Sequence, residues 1–158
     1  MEGRWPFALF VLLLIALHFL LRIGLGLEGT APDLLTVALL LTARRVPAGW
    51  AAGVGLLMGL LRDSVNLTSF GADAVVMTVL GFLGARSRDY FVGESVLFLL
   101  VYLLLGKWLH DIAFHLISGG MATGEPFSSV ALGSAIAAVY AAVAGVVALS
   151  IYRALARE

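Results

Sequence analysis

"GVGLLMGLLRDSVNLTSFGAD", residues 53–73, is the stretch on which the fold turns. An apolar run with glycines at 53, 55 and 59 meets Arg62 and Asp63 without a polar lead-in. It then passes through a polar turn and returns to apolar sequence. Ala51, Gly55, Gly59 and Asp63 stand four apart, along one ridge of a helix. Small residues at this spacing admit a neighbouring helix at close range. Two readings of the terminal charges stay open: ordinary interface charges on a packed helix, or part of a polar site.

Composition sets the medium in which this helix packs. Of 158 residues, 61% are hydrophobic and 13% charged, with mean hydropathy +1.04. A soluble domain averages about 45–50% apolar and roughly a quarter charged. The chain has too little polar residue to cover a water-soluble globule, so it reads as an integral membrane protein. No polar segment is long enough for an appended soluble domain, and 1–158 is expected to form a single membrane domain. Net charge is zero, which gives nucleic acid no electrostatic hold. The absence of cysteine excludes disulfides, thiolate metal sites and cysteine nucleophiles.

The amino-terminal "MEGRWPFALFVLLLIALHFLLRIGLGLEG" has a positive start and an apolar centre, as signal peptides do. It lacks an A-x-A-like cleavage site and is followed by more apolar segments, so it is expected to be a retained first helix with Trp5 at the interface. A bilayer core of ~30 Å asks for about 20 apolar residues per helix. Val130 to Leu149 meets this without a charge. Turn signals place the other boundaries, giving an all-α, polytopic fold of six transmembrane helices at roughly 5–24, 32–46, 48–63, 70–86, 93–117 and 127–152. Pro32, Pro47 and Pro126 fall at helix starts, where proline is tolerated, and Gly119-Gly120 precedes the last helix.

Six spans put both termini on one side. Arg4, Arg44, Arg45, Arg86, Arg88, Arg153 and Arg157 then share that side, with only Arg22 and Arg62 opposite and Lys107 inside the fifth helix. That bias predicts cytoplasmic termini. Asp63 then lies at the outer end of helix three. Asp73, in the first turn of helix four, is expected to cap the helix dipole.

The fifth helix carries a second polar group, "GKWLHDIAFHL". Lys107, Asp111 and His115 stand four apart on one face, with His110 alongside, in the outer half of the membrane. Either Lys107 and Asp111 neutralise one another within the helix, or Asp63, Asp111 and a histidine meet in an outward polar pocket. Ala137, Ala141 and Gly145 mark a packing seam on helix six. None of the polar residues has the spacing of a metal site, a nucleophile triad or a phosphate-binding loop. An enzyme is therefore not expected, and neither is a cofactor or metal.

The segment "APDLLTVALLLTARRVPAGWAAGVGLLMGLLRDSVNLTSFGADAVVMTVLGFLGA", Ala31 to Ala85, resembles the rod shape-determining protein MreD family. The resemblance rests on a proline opening a short second span and on the G-x-x-x-G-x-x-x-D helix of Gly55, Gly59 and Asp63. After the turn come Ser69 and Gly71 as S-x-G, then a small-residue-rich span. "HDIAFHL" stands where such proteins often carry an acidic residue. Arg62 departs from the pattern, since the family more often has an apolar residue before the aspartate.

The resemblance implies a fold similar to the S components of energy-coupling factor transporters. It also implies a non-catalytic scaffold of the bacterial rod complex in the inner membrane. Its implied partners are MreC, RodA with its class B penicillin-binding transpeptidase and, indirectly, MreB, all in a setting of membrane lipid. Gly55, Gly59, Asp63, Ser69 and Gly71 would be the helix-packing signature. The candidate outer polar site for MreC comprises Asp63, Lys107, His110, Asp111 and His115. The alternative is an S-component-like, substrate-binding subunit of a vitamin transporter. It would need a docking A-x-x-x-A in helix one, where Ala8 is followed by Leu12 and Ala16 by Leu20.

Overall fold

The computed structural model describes residues 4–25, 31–66, 69–88, 95–119 and 127–155. Gly120, Pro126 and Arg157 lie outside them, as do the first two residues assigned above to the fifth helix. The described chain forms six α-helices: α1 (Arg4–Phe19), α2 (Leu34–Ala43), α3 (Ala48–Asp63), α4 (Ala72–Ser87), α5 (Val96–Ile117) and α6 (Phe127–Leu155). A π-helical turn, Leu20–Gly24, prolongs α1 and closes with Leu25 N–H on the Leu20 carbonyl at 3.0 Å.

Among the described residues, three helical stretches are long and apolar enough to cross a membrane: Trp5–Gly24, Val96–Ile117 and Ser128–Leu155. Their outer faces present Leu9, Leu13, Leu97, Leu105, Leu132 and Ile136, as lipid contact requires. α3 and α4 have 16 residues each, or about 24 Å of helix. α2 has ten, about 15 Å, and is shorter than the 32–46 segment expected from the sequence. Asp33 ends it on one side, with its side chain accepting from the Thr36 N–H. A turn at Arg44 and Arg45 ends it on the other.

The short α2 is the axis of the bundle. Nine of its ten residues are buried, Leu35, Ala38 and Leu39 completely, and every other helix packs against it. A helix surrounded by protein has no lipid to span, so its length is free of the bilayer's thickness.

α3 and α4 form the closest pair. A Cβ on Gly55 would stand 2.1 Å from the Met77 carbonyl oxygen, and one on Gly59 2.4 Å from Ala74 Cα. Gly81 answers from α4, where a Cβ would meet the Ala51 oxygen at 2.4 Å. The expected ridge is therefore the seam, backbone against backbone. On α6 the seam is shifted from expectation. Ala137 is exposed, while Ala138, Ala141 and Gly145 face inward, where Val37 of α2 and Leu103 of α5 lie against Gly145.

The helices alternate in direction. At one end Arg44 lies over the Phe98 ring (5.5 Å) and Arg45 over that of Phe7 (3.8 Å), while an Arg88 Nη donates to the Arg44 carbonyl at 3.3 Å. Tyr152 of α6 packs on Phe7 and Phe10, so the end of α2, α4 and α6 meets the start of α1 and α5. At the other end a Trp108 Nε1–H donates to the Ala131 carbonyl at 3.1 Å, joining the late part of α5 to the early part of α6.

Candidate functional site

The end opposite the arginines holds a buried cluster of charge, assembled from five helices or their caps. Asp33, 2% exposed, is its centre. One carboxylate oxygen accepts from Arg62 of α3 at 2.8 Å and from Lys107 of α5 at 3.0 Å. The Thr36 N–H and hydroxyl donate to the same group at 3.2 and 3.0 Å, so the helix cap is also the hub. His18 of α1 lies 3.7 Å away, its Nδ1 accepting from the Leu35 N–H at 3.3 Å.

Arg62 also reaches Asp73 of α4 through Nε, at 3.3 Å. His110 of α5 stands between two carboxylates, with Nε2 3.0 Å from Asp73 and Nδ1 3.0 Å from Asp111. Lys107 closes the ring by donating to Asp111 one turn along its own helix. Each ring nitrogen of His110 thus has a carboxylate partner on a different element, and Arg62 and Lys107 are the cations set among Asp33, Asp73 and Asp111. Charge at membrane depth is sustainable when every member is paired, and the desolvation cost makes removal of any one partner expensive.

Asp63 belongs to a different device. It is fully buried, and its two oxygens accept from the Asp73 N–H (3.2 Å) and the Ala74 N–H (2.9 Å). It caps the start of α4 from across the seam, where orphan N–H groups and the helix dipole favour an anion. The capping expected of Asp73 is thus done by Asp63, and the Asp73 carboxylate turns to Arg62 and His110. Gly71, at φ +93°, supplies the left-handed turn that lets the chain enter α4. Ser69 lies in the preceding turn and is half-buried.

The expected outer pocket is therefore corrected in its membership. Lys107, His110 and Asp111 meet, but with Asp33, Arg62 and Asp73, while Asp63 stands beside them as a cap. Lys107 and His110 are buried, at 5% and 1%, so neither they nor Asp63 offers a surface. Asp111 (20% exposed side chain) and half-buried His115 do, and His115 joins none of the ion pairs among the described residues. The two readings of Lys107 and Asp111 merge, since they pair within α5 and serve the wider cluster too.

Asp33 and His18 escaped the sequence reading. The signal for Asp33 was local: "PDLLT", an aspartate after proline with threonine three residues on, is a helix-start pattern. His18 had no comparable signal.

Ligand atoms of Asp33, His110 and Asp111 fall within 4.8 Å of one another, a spacing that could bracket a cation. Arg62 and Lys107 already hold two of these carboxylates, so an added cation would meet like charge. Among the described residues nothing at the cluster places a nucleophile beside an oxyanion donor. The arrangement suits holding helices together.

The fold and its cluster define an all-helical membrane protein locked by a buried ion network at one end. The family model for rod shape-determining protein MreD matches residues 2–117, and the chain belongs to that family. The match spans the α3–α4 seam and the whole cluster. No curated protein and no solved structure matches the chain. Family membership gives it a role in rod shape determination as a structural component of the membrane.

Proposed function

We propose that this protein is a non-catalytic scaffold of the rod complex that binds MreC at the outer membrane face and so helps control peptidoglycan synthesis by RodA and its transpeptidase. MreB is linked to it through MreC. In this reading all six helices traverse the inner membrane as one domain, with both termini in the cytoplasm. The arginine side is then cytoplasmic, and the ion cluster fixes the outer ends of five helices relative to one another. The observation that carries the proposal is this lock, which presents Asp111 and His115 on a rim that cannot flex independently. The S-component-like fold is part of the proposal. A vitamin-binding role draws no support from the two cavities described in this fold, since neither is lined by the cluster.

The test is capture of partners by tagged protein gently extracted from native membranes, with reporter fusions after residues 66 and 155 to fix the topology. MreC is expected in the wild-type capture and lost from His115→Glu. Capture of a coupling subunit with paired ATPases in its place would overturn the scaffold reading. Undiminished MreC with His115→Glu and Ser118→Glu would remove the outer rim as the contact.

A further inference from the structure

Between α4 and α5 a groove of about 460 Å³ runs from the arginine end, walled by Leu80 and Leu83 of α4 and by Val101, Leu105 and Leu109 of α5. Leu83, Val101, Leu105 and Leu109 are exposed, so the groove opens outward, toward lipid in the proposed topology. Its floor is Leu40 and Tyr102, drawn in over two glycines. A Cβ on Gly106 would stand 2.5 Å from a Leu40 methyl carbon, and one on Gly84 2.8 Å from the Tyr102 hydroxyl. That hydroxyl donates to the Leu40 carbonyl at 3.0 Å, so these polar groups are paired and give water little to hold. At the arginine end the lining changes character. Ser87 and Ser95 join Phe98 there, and Ser95 is the N-cap of α5. The Arg44 guanidinium lies 5.5 Å from the Phe98 ring centre and 5.8 Å from that of Tyr102. Among the described residues the Arg44 side chain enters no ion pair.

We infer that this groove holds one acyl chain of an anionic phospholipid, with the lipid phosphate at Arg44 and the first turn of α5. Size selects the chain. From Ser95 to Leu109 the groove follows α5 for about 21 Å at the helical rise. A volume of 460 Å³ over that length is a channel roughly 5 Å across. A single file of carbons at contact distance fills such a width, whereas a helix of about 10 Å would bridge the groove and leave it empty. Charge selects the headgroup. A guanidinium stacked over a ring keeps its N–H edge for phosphate oxygens, and the start of a helix favours an anion beside it. Basic sites between membrane helices take anionic headgroups by this chemistry. The lipid site requires the membrane topology proposed above, and MreC has no part in it.

The experiment places the full-length protein in phosphatidylcholine nanodiscs with a fifth of phosphatidylglycerol, and counts the lipids retained per chain by native mass spectrometry. The wild type is expected to keep one phosphatidylglycerol. Val101→Trp fills the groove from its exposed wall and should cut that retention about tenfold or more. Val139→Trp adds the same ring on the exposed face of α6, outside the groove, and should leave retention unchanged. Arg44→Gln should weaken it about fivefold, the share of one cation near a membrane surface, and Arg44→Lys should keep most of it. Arg86→Gln removes a charge from the same end at an exposed position outside the groove and should change nothing. Leu105→Trp fills the groove at a second level and keeps the comparison available if Val101→Trp fails to fold. Equal retention of phosphatidylcholine, equal loss with Val139→Trp, or undiminished retention in both groove variants would overturn the site. Loss of a dimer or of a captured protein from Val101→Trp, with lipid retention unchanged, would give the groove to a protein helix and overturn the lipid too. MreC capture that persists in Val101→Trp would leave the scaffold reading intact whatever the lipid result.

Discussion

Replacing Asp33 by asparagine is the sharpest test of the buried lock. The substitution keeps shape and leaves an amide oxygen to cap Thr36, so it removes charge from the hub and little else. Breaking a buried pair by deleting one partner costs ~3–5 kcal/mol. Here each stranded cation keeps a second carboxylate, Arg62 with Asp73 and Lys107 with Asp111, which places the cost near the lower end, about 3 kcal/mol. For a chain of this size that is a fall in Tm of roughly 6–12 °C. Lys107→Gln should cost a similar amount.

Because the two residues share one interaction, the double variant should cost clearly less than the sum, with a coupling of at least ~1 kcal/mol. Melting of the four proteins in one detergent, followed by intrinsic tryptophan fluorescence, gives the cycle. Additive losses, or an Asp33→Asn protein within ~2 °C of wild type, would refute the hub.

Two further outcomes follow from the geometry. Gly59→Ala drives a Cβ into the Ala74 backbone and should cost ~1–3 kcal/mol or more, whereas Gly53→Ala, with open space around it, should be neutral or stabilising by up to ~1 kcal/mol in thermal melts. Asp63→Ala leaves the Asp73 and Ala74 N–H groups without acceptors, and should cost ~1–3 kcal/mol and speed hydrogen exchange at the start of α4 ahead of its end.

Some of this was legible in the sequence because it is written at helical spacing. α3 runs over 48–63 as expected, and its Ala51–Gly55–Gly59–Asp63 ridge is the seam, since side chains four apart share a face whatever surrounds them. Lys107 and Asp111 pair for the same reason. What spacing cannot carry is the partner on another helix. Asp33 and Arg62 are 29 residues apart, and His110 and Asp73 are 37 apart. Arg62 therefore looked like an interface charge, and Asp73 like a simple cap. The α6 seam shows a subtler limit. On a helix rich in alanine and glycine nearly every ridge has small residues, and only the neighbours select Ala138 over Ala137.

The sheathed position of α2 bears on how the protein is made. A ten-residue apolar segment headed by an aspartate is a poor candidate for lateral release into lipid by the insertion machinery, because it is too short to span lipid unaided and would carry Asp33 with it. It becomes a comfortable resident only once α3, α4 and α5 have delivered Arg62, Lys107 and their packing surfaces. In the proposed membrane topology the nascent chain would hold α2 at the interface or within the machinery until more than a hundred residues have been synthesised. The ion cluster would then mark the moment of closure: the last charged side chain to arrive, on α5, is what allows the second helix of the chain to settle at its centre.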